Sequence, residues 1–205
     1  MYEKLVKNLF FYNTVLFFFF FFLFLFFPNL DIFLSKIFFY KNKFISEHFI
    51  FIKDLRVILK ELMIIIPIFA IFILFIQMIN KSQKIQINHK FRIKYSMIGL
   101  IIGPIVGCGI IANLYFKDTW GRARPVHVEE FGGKKIFTPA FLKSDQCERN
   151  CSWISGETSA AFSFVVGTIL LKKHYFLILN FILGFLVFFC RMAMGGHFFS
   201  DNIFA

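Results

Sequence analysis

The chain has 205 residues, of which 58% are hydrophobic and 35 are phenylalanine, yet it carries a formal net charge of +11. A water-soluble domain of this length must cover its surface with polar side chains, so this composition excludes an ordinary soluble globular protein. Apolar stretches of about 20 residues, the length that crosses a bilayer as a helix, recur along the chain. The composition therefore predicts one membrane domain.

Five apolar stretches are predicted to cross the membrane as helices, and they cover residues 9–27, 62–79, 97–116, 153–171 and 175–194. The first stretch follows two lysines, as in a secretory signal peptide. However, it is long for the hydrophobic part of such a peptide, and no small-residue cleavage site follows it. We interpret it as a retained membrane helix. The predicted fold class is an all-α, multi-pass membrane helical bundle.

The polar segments between these stretches predict the orientation of the chain. Residues 29–55 mix aromatic and charged side chains and are predicted to form amphipathic segments on the membrane surface. The loop of residues 81–95 has five cations and no acid, and a short basic turn covers residues 172–174. Basic residues favour the cytoplasmic side. Residues 29–55, residues 117–152 and the C-terminus are therefore predicted to be extracytoplasmic.

The four cysteines fall into two pairs with different surroundings. Cys108 and Cys190 lie inside apolar stretches and are predicted to be inert packing residues. Cys147 and Cys151 lie in the polar segment and are too few to form a structural zinc site without a second ligand pair. If that segment is periplasmic, a local disulfide is plausible. A disulfide and two free thiols both remain open.

Three polar stretches lie at predicted helix ends on the same predicted side of the membrane. Residues 117–125 put three cations directly after the third helix, residues 152–157 open the fourth, and residues 191–201 follow the fifth. Lysine and arginine provide charge and directed N–H donors that suit phosphate oxygens. A serine and a glycine at a helix start add a hydroxyl and backbone N–H groups, which favour an anion there.

The third stretch also contains a histidine and an acid at helical spacing. His197 and Asp201 are four residues apart, so one helical turn would bring them onto one face. A carboxylate on one ring nitrogen would fix the tautomer and leave the other nitrogen free to attack. Any one of the cations alone would be interpreted as an interfacial anchor. Together, the three stretches predict a phosphoryl-transfer pocket.

These stretches resemble the three motifs of the type 2 phosphatidic acid phosphatase (PAP2) superfamily. The first motif, a lysine followed after six residues by Arg-Pro, matches residues 117–125. The third motif, Ser-Arg, five residues, His, three residues and Asp, matches residues 190–201, with Cys190 in place of the serine. The second motif is usually Pro-Ser-Gly-His, and residues 154–157 are Ile-Ser-Gly-Glu.

The resemblance covers about residues 99–201 and implies a bundle of six membrane helices. It predicts a single PAP2-like membrane domain over residues 1–205. Residues 1–96 would contain the N-terminal spans and surface segments, and residues 97–205 the phosphatase motif region. Five spans are predicted here, and the sixth would begin about where this sequence stops, so the sequence is expected to lack it.

The resemblance also implies a role for each matched residue. His197 would attack phosphorus and form a phosphohistidine, with Asp201 orienting its ring. Glu157 would replace the histidine that protonates the leaving oxygen, and His127 is a speculative substitute acid in the same extracytoplasmic segment. The phosphate would be bound by Lys117, Arg124, Ser155, Gly156 and Arg191. No metal or cofactor is implied, because the cations would stabilise the transition-state charge.

The function implied is hydrolysis of a lipid phosphate monoester or pyrophosphate at the extracytoplasmic face of a bacterial inner membrane. The expected partners are the substrate, of lipid A, polyprenyl pyrophosphate or phospholipid type, and membrane lipids, with no nucleic acid. Residues 122–133 resemble proteobacterial members, some of which act on lipid A. The alternatives are a truncated or degenerate non-catalytic membrane protein of the same fold, and a lipid phosphotransferase.

Overall fold

The computed structural model describes residues 2–79 and 87–205, and helices dominate both ranges. The α-helices are α1 (Tyr2–Phe26), α2 (Leu30–Lys36), α3 (Ile50–Ile79), α4 (Ile87–Pro104), α5 (Gly156–Ser163), α6 (Val165–Thr168), α7 (His174–Ala193) and α8 (Phe199–Ile203). A π-helix (Ile105–Lys117) continues α4. Four short 3₁₀ turns cover Ile45–Glu47, Pro125–His127, Glu129–Phe131 and Ile169–Leu171. Strands β1 (Phe39–Tyr40) and β2 (Lys43–Phe44) form a small antiparallel hairpin.

Four helical segments of the described residues are long and apolar enough to cross a bilayer: Val6–Phe26, Ile50–Ile79, Phe91–Lys117 and His174–Ala193. Only 6% of the apolar window of the first is buried against protein, compared with 50% in the last, so α1 is peripheral and α7 is central. The predicted all-α, multi-pass membrane fold is confirmed. The fourth predicted span is the shorter apolar helical segment Gly156–Leu171.

Two predicted boundaries between loop and helix were wrong. Helix α3 begins at Ile50, so the last residues of the predicted surface segment belong to a membrane helix. Helix α4 begins at Ile87, so much of the predicted basic loop of residues 81–95 is helical, while residues 80–86 lie outside the described residues. Both helices extend past their apolar parts because backbone hydrogen bonds do not require apolar side chains.

Close backbone contacts join α4 to the segment that follows α5. A Cβ at Gly99 would lie 2.8 Å from the Cα of Gly167, which leaves no room for a side chain. The Ser96 hydroxyl donates a hydrogen bond of 2.7 Å to the carbonyl of Gly167. Small residues and a buried hydroxyl are the contacts that hold membrane helices together, since lipid provides no hydrophobic driving force between helices.

Helix α2 and the hairpin, in the segment that was predicted to lie on the membrane surface, pack against the end of the bundle that contains the polar motifs. Asp31, Ile32 and Ser35 of α2 are buried, and so is Phe44 of β2. A Cβ at Gly195 would lie 2.4 Å from the Phe44 ring, so the hairpin directly contacts the segment before His197. The reason is that Asp31 has a buried partner in the first motif, described below.

Candidate active site

Backbone hydrogen bonds hold the three motif stretches together at one end of the bundle. The bonds run from the Ser152 amide to the Arg122 carbonyl at 2.8 Å, from the Ser155 amide to the Asp201 carbonyl at 2.9 Å, and from the Val126 amide to the Gly195 carbonyl at 3.0 Å. The first two bonds each join two motifs, and the third joins Val126, directly after the first motif, to the third motif. The structure therefore brings together the three stretches that the sequence singled out.

His197 lies in this cluster with only 2% of its surface exposed. Its Nδ1 is 2.7 Å from the backbone carbonyl oxygen of Ser152. Because a carbonyl only accepts, Nδ1 must donate, and the lone pair of the neutral ring is then on Nε2. Burial lowers the pKa of His197 to about 3, although Asp201 acts in the opposite direction. The ring is therefore neutral near pH 7, with a nitrogen able to act as a nucleophile.

Asp201 lies near His197 but makes its hydrogen bonds elsewhere. Its Oδ2 is 3.6 Å from Nδ1 of His197, beyond hydrogen-bonding distance. The carboxylate accepts from the Ser152 hydroxyl, from the Phe198 amide at 2.8 Å and from Arg122 at 2.5 Å. Burial would raise the pKa of Asp201, but the Arg122 charge, the nearby His197 and the Ser152 hydroxyl outweigh it and lower the pKa to about 2. Direct orientation of the ring thus falls to the Ser152 carbonyl.

Arg122 is fully buried and joins two acids into what we call the Arg122 cluster (Arg122, Asp31, Asp201). Its Nη2 donates to Asp31 Oδ2 at 2.8 Å and its Nη1 to Asp201 Oδ1 at 2.5 Å. Its Nε donates to the Thr138 carbonyl at 2.8 Å. These bonds engage all three guanidinium nitrogens, so Arg122 is part of the scaffold. The sequence indicated Arg122 only as one cation of the first motif and did not indicate Asp31.

Two of the predicted phosphate-binding residues share one cavity. The cavity measures about 340 Å³ and is lined by Arg124, Val126, His127, Cys147, Arg149, Asn150, Arg191, Met194 and Gly196. Among the described residues, the Nε of Arg191 is buried without a hydrogen-bond partner. A Cβ at Gly196 would lie 2.7 Å from Nη2 of Arg191, so a side chain here would displace the guanidinium. With Arg149, which also lines it, the cavity has three guanidinium groups that could contact an anion.

Arg124 is held in the cavity by a single residue of the polar segment. It donates from Nε and Nη2 to the Asn150 carbonyl, at 3.0 and 2.8 Å, and from Nη2 to Asn150 Oδ1 at 2.7 Å. Asn150 has a φ of 52°, a left-handed conformation that asparagine tolerates better than most residues. Cys147 and Cys151, on either side of it, form a disulfide, which is one of the two states that the sequence left open.

The remaining predicted phosphate-binding residues surround the start of α5. Ser155 is the N-cap, and its hydroxyl donates to Thr158 Oγ1 at 2.8 Å while accepting from the Thr158 amide at 3.4 Å. A Cβ at Gly156 would lie 3.5 Å from Nζ of Lys117, so the lysine reaches the helix N-terminus. Lys117 donates to Asn113 Oδ1 at 3.3 Å. The Ser155 hydroxyl is used in capping, whereas Lys117 and Gly156 lie together.

Glu157 is paired with arginines, in what we call the Glu157 cluster (Glu157, Arg56, Arg191). Arg56 of α3 donates from Nε to Oε2 at 3.0 Å and from Nη2 to Oε1. Nη1 of Arg191 is 3.6 Å from Oε1. The sequence did not indicate Arg56, because a lone arginine near the start of an apolar helix is typical of an interfacial anchor.

His127, the speculative substitute acid, also lines the cavity. Burial lowers its pKa, and the positive charges of Arg124 and Lys135 lower it further. The neutral ring is therefore favoured, and a neutral histidine is not a ready proton donor. The structure brings His127 to the site but does not supply the charge environment that an acid needs.

A family model described as the PAP2 superfamily matches residues 95–205, which is more than half of the chain. The chain belongs to this superfamily. The resemblance stated from the motifs is thereby confirmed, and the two motifs with matching spacing both fall within the matched region.

Curated relatives of this PAP2 chain are named lipid A 4'-phosphatases. It is 41% identical over 144 residues to the protein of Francisella tularensis subsp. novicida (strain U112), covering 67% of this chain and 63% of that one. Proteins of Rhizobium etli and Rhizobium leguminosarum are 37% and 36% identical to this chain over 70 residues. These 70 residues cover 34% of this chain, 26% of the Rhizobium etli protein and 28% of the Rhizobium leguminosarum protein. The chain thus spans less than two thirds of the length of these relatives. No solved structure matches it.

Proposed function

We propose that this PAP2 chain is a metal-independent membrane phosphatase that hydrolyses a lipid phosphate through a phosphohistidine on His197. The observation that carries the proposal is the Nδ1 contact with the Ser152 carbonyl, because it leaves Nε2 unprotonated in a neutral ring. The His197 amide also donates to the Arg191 carbonyl at 3.3 Å, so the nucleophile adjoins a residue that lines the cavity.

The reaction follows from these groups in two steps. Nε2 of His197 attacks phosphorus, the bond from phosphorus to the ester oxygen breaks, and the alcohol leaves with that electron pair and gains a proton. Water then attacks the phosphohistidine, which releases inorganic phosphate and restores the ring. Arg124, Arg191 and Lys117 would bind the non-bridging oxygens, where preformed positive charge stabilises the transition state.

A lipid A type of phosphate monoester is the substrate that the relatives support best. All three relatives reported above are named lipid A 4'-phosphatases. The four apolar spans found among the described residues suit a substrate whose acyl chains remain in the bilayer. Polyprenyl pyrophosphate and phospholipid phosphates contain the same phosphoryl group and are the comparison substrates.

We place the site at the periplasmic face of a bacterial inner membrane. Two independent features support this orientation. The acid-free basic stretch of residues 81–95 favours the cytoplasm, which places the polar segment of residues 117–152 on the other side. That segment contains the disulfide between Cys147 and Cys151, and disulfides persist in the oxidising periplasm.

The test is phosphate release by the detergent-solubilised full chain and its His197→Ala variant, with lipid A, phosphatidic acid and a polyprenyl pyrophosphate. Loss of the nucleophile should reduce release by roughly 10³-fold or more, since the remaining groups only bind and stabilise charge. His174→Ala is the matched control, because His174 is exposed at the start of α7, the helix that ends before His197.

Three outcomes separate the candidate functions. Equal release by wild type and His197→Ala would reject the enzyme in favour of a non-catalytic membrane protein. Transfer of labelled phosphate to an added lipid, without free phosphate, would identify a phosphotransferase. An acid-labile phosphoprotein that forms in the wild type and not in His197→Ala would support the phosphohistidine.

A further inference from the structure

Both carboxylate oxygens of Glu157 accept hydrogen bonds from one arginine. Arg56 donates to Oε2 from Nε at 3.0 Å and to Oε1 from Nη2. An arginine has no acceptor and stays charged, so this two-point contact is strongest with an ionised carboxylate. A proton on either oxygen would weaken the contact, because it removes the negative charge and part of the acceptor capacity. The geometry thus disfavours a protonated Glu157 at the position where the resemblance implies an acid.

Arg191 adds a second cation to the same carboxylate. Its Nη1 is 3.6 Å from Oε1 of Glu157, and the same guanidinium reaches the cavity beside Gly196. Glu157 thus links a cation that lines the cavity to one that comes from α3. Without the carboxylate, the guanidinium groups of Arg56 and Arg191 would repel each other across a partly buried space.

The Glu157 cluster is also accessible in part. The side chains of Arg56 and Glu157 are 28% and 23% exposed, whereas those of the Arg122 cluster are at most 1% exposed. A partly exposed pair can rearrange when an anion enters, because its charges are not committed to a closed network. Two arginines against one acid also leave one positive charge uncompensated. That excess charge is available to a phosphate.

From these contacts, and resting on the proposed function, we infer that Glu157 is a positioning residue that holds the guanidinium groups of Arg56 and Arg191 for the substrate phosphate. Arg56 is then a further anion-binding residue of the site. In this scheme Glu157 remains a carboxylate throughout the reaction. The departing ester oxygen keeps the electron pair of its broken bond to phosphorus and takes its proton from water in the cavity.

The first measurement is kcat/KM of the wild type, Glu157→Gln, Arg56→Ala and the double variant. The substrates are phenyl phosphates with leaving groups of graded acidity, together with an alkyl phosphate. A positioning residue predicts a decrease of about tenfold that is the same for good and poor leaving groups. It also predicts that the double variant loses less than the product of the two single effects, because both changes disrupt the same contact between Glu157 and Arg56.

A proton donor predicts a different pattern. The decrease for Glu157→Gln would grow as the leaving group becomes less acidic, and the double variant would lose the product of the two single effects. Either result would overturn the inference. Arg56→Lys keeps the charge but not the two-point contact, so we expect it to fall between wild type and Arg56→Ala. If Arg56→Ala does not fold, Arg56→Lys provides the test in its place.

The matched control is Lys53→Ala, one turn before Arg56 on α3. Lys53 forms an ion pair of 2.6 Å with Glu47, and their side chains are 40% and 50% exposed. Neither residue belongs to the site, so we expect kcat/KM within twofold of wild type. A loss equal to that of Arg56→Ala would mean that any charge removed from this end of α3 has the same effect.

Orthovanadate binding separates this inference from the proposed function. Calorimetry on the same variants requires no turnover, so it applies even if no substrate is hydrolysed. The inference predicts weaker binding, by about tenfold, in both Glu157→Gln and Arg56→Ala. Unchanged affinity in Glu157→Gln would overturn the inference while leaving phosphatase activity untouched. Absence of phosphate release from every substrate by the wild type would instead reject the proposed function.

Discussion

Two groups of ion pairs lie at the same end of this bundle, and they differ in burial and in charge balance. The Arg122 cluster has two acids for one arginine and is closed to solvent. The Glu157 cluster has two arginines for one acid, and part of it is exposed. The guanidinium nitrogens of the Arg122 cluster all donate hydrogen bonds within the protein, whereas the Glu157 cluster has a net positive charge. The comparison separates a scaffold that holds His197, the proposed nucleophile, from a site that can accept an anion.

Burial also determines how each cluster should respond to mutation. Charges that leave water lose several kcal/mol of hydration, so a fully buried arginine is tolerated only when every partner is present. A partly exposed pair keeps some hydration and contributes little to stability. Loss of a scaffold partner should therefore strongly destabilise the protein, and loss of a site partner should mainly reduce activity.

The largest effect is expected on stability, from a substitution that breaks the Arg122 cluster. Asp31→Ala removes one acid from a fully buried arginine and should lower the free energy of unfolding by about 3–5 kcal/mol. Thermal unfolding in detergent measures this loss. Glu47→Ala removes an exposed ion pair with Lys53 and should change stability by less than about 1 kcal/mol. Equal effects of the two substitutions would show that burial does not distinguish the clusters.

An intermediate effect should follow from loosening Arg124 without changing its charge. Asn150→Gly removes the side-chain amide that accepts from Nη2, while the carbonyl contacts stay possible and glycine adopts the φ of 52° without strain. We expect kcat/KM to fall by roughly tenfold, since small displacements of a phosphate-binding group are costly, with little change in unfolding temperature. Asp145→Ala, an exposed position in the same segment, is the control. A large loss of stability in Asn150→Gly would place Asn150 in the scaffold instead.

A further effect is expected on the pH dependence of stability. His197 in the unfolded chain takes up a proton below about pH 6.5, whereas the folded protein does so only near pH 3. Asp201 is likewise protonated at lower pH in the folded state, near 2 rather than 3.8. Both groups bind fewer protons when folded, so stability should fall as pH decreases from 6.5.

The measurement is the unfolding temperature of wild type and His197→Asn between pH 4 and 7. Removal of the histidine should make the unfolding temperature depend less steeply on pH, because the contribution of Asp201 falls mainly below pH 4. An identical slope in the two proteins would show that buried His197 does not cause the acid sensitivity. Stability that rises as pH falls would contradict the assigned protonation states.

The membrane segments and the motif residues could be predicted from the sequence because their signals are local. An apolar stretch of about 20 residues predicts a span from its composition alone. The four-residue spacing of His197 and Asp201, and the lysine that precedes Arg-Pro by six residues, lie within single stretches of chain. The structure brought these stretches together. It also showed that the fourth apolar stretch is a shorter, interrupted segment (Gly156–Leu171).

Other parts of the site could not be predicted because their partners are far apart in the chain or belong to the backbone. Asp31 is 91 residues from Arg122, and Arg56 is 101 residues from Glu157. No local pattern links such pairs. The carbonyl of Ser152, which sets the His197 tautomer, belongs to the backbone and would be present with any side chain.

The sequence by itself determined that this is a membrane bundle with PAP2 motifs at its helix ends, since hydrophobicity and motif spacing are properties of short segments. Only the tertiary structure decided which arginine supports His197, the proposed nucleophile, and which faces the cavity. Arg122 and Arg124 are two residues apart and carry the same charge. Their environments differ because Asp31 and Asp201 enclose the first, while Asn150 holds the second at the cavity.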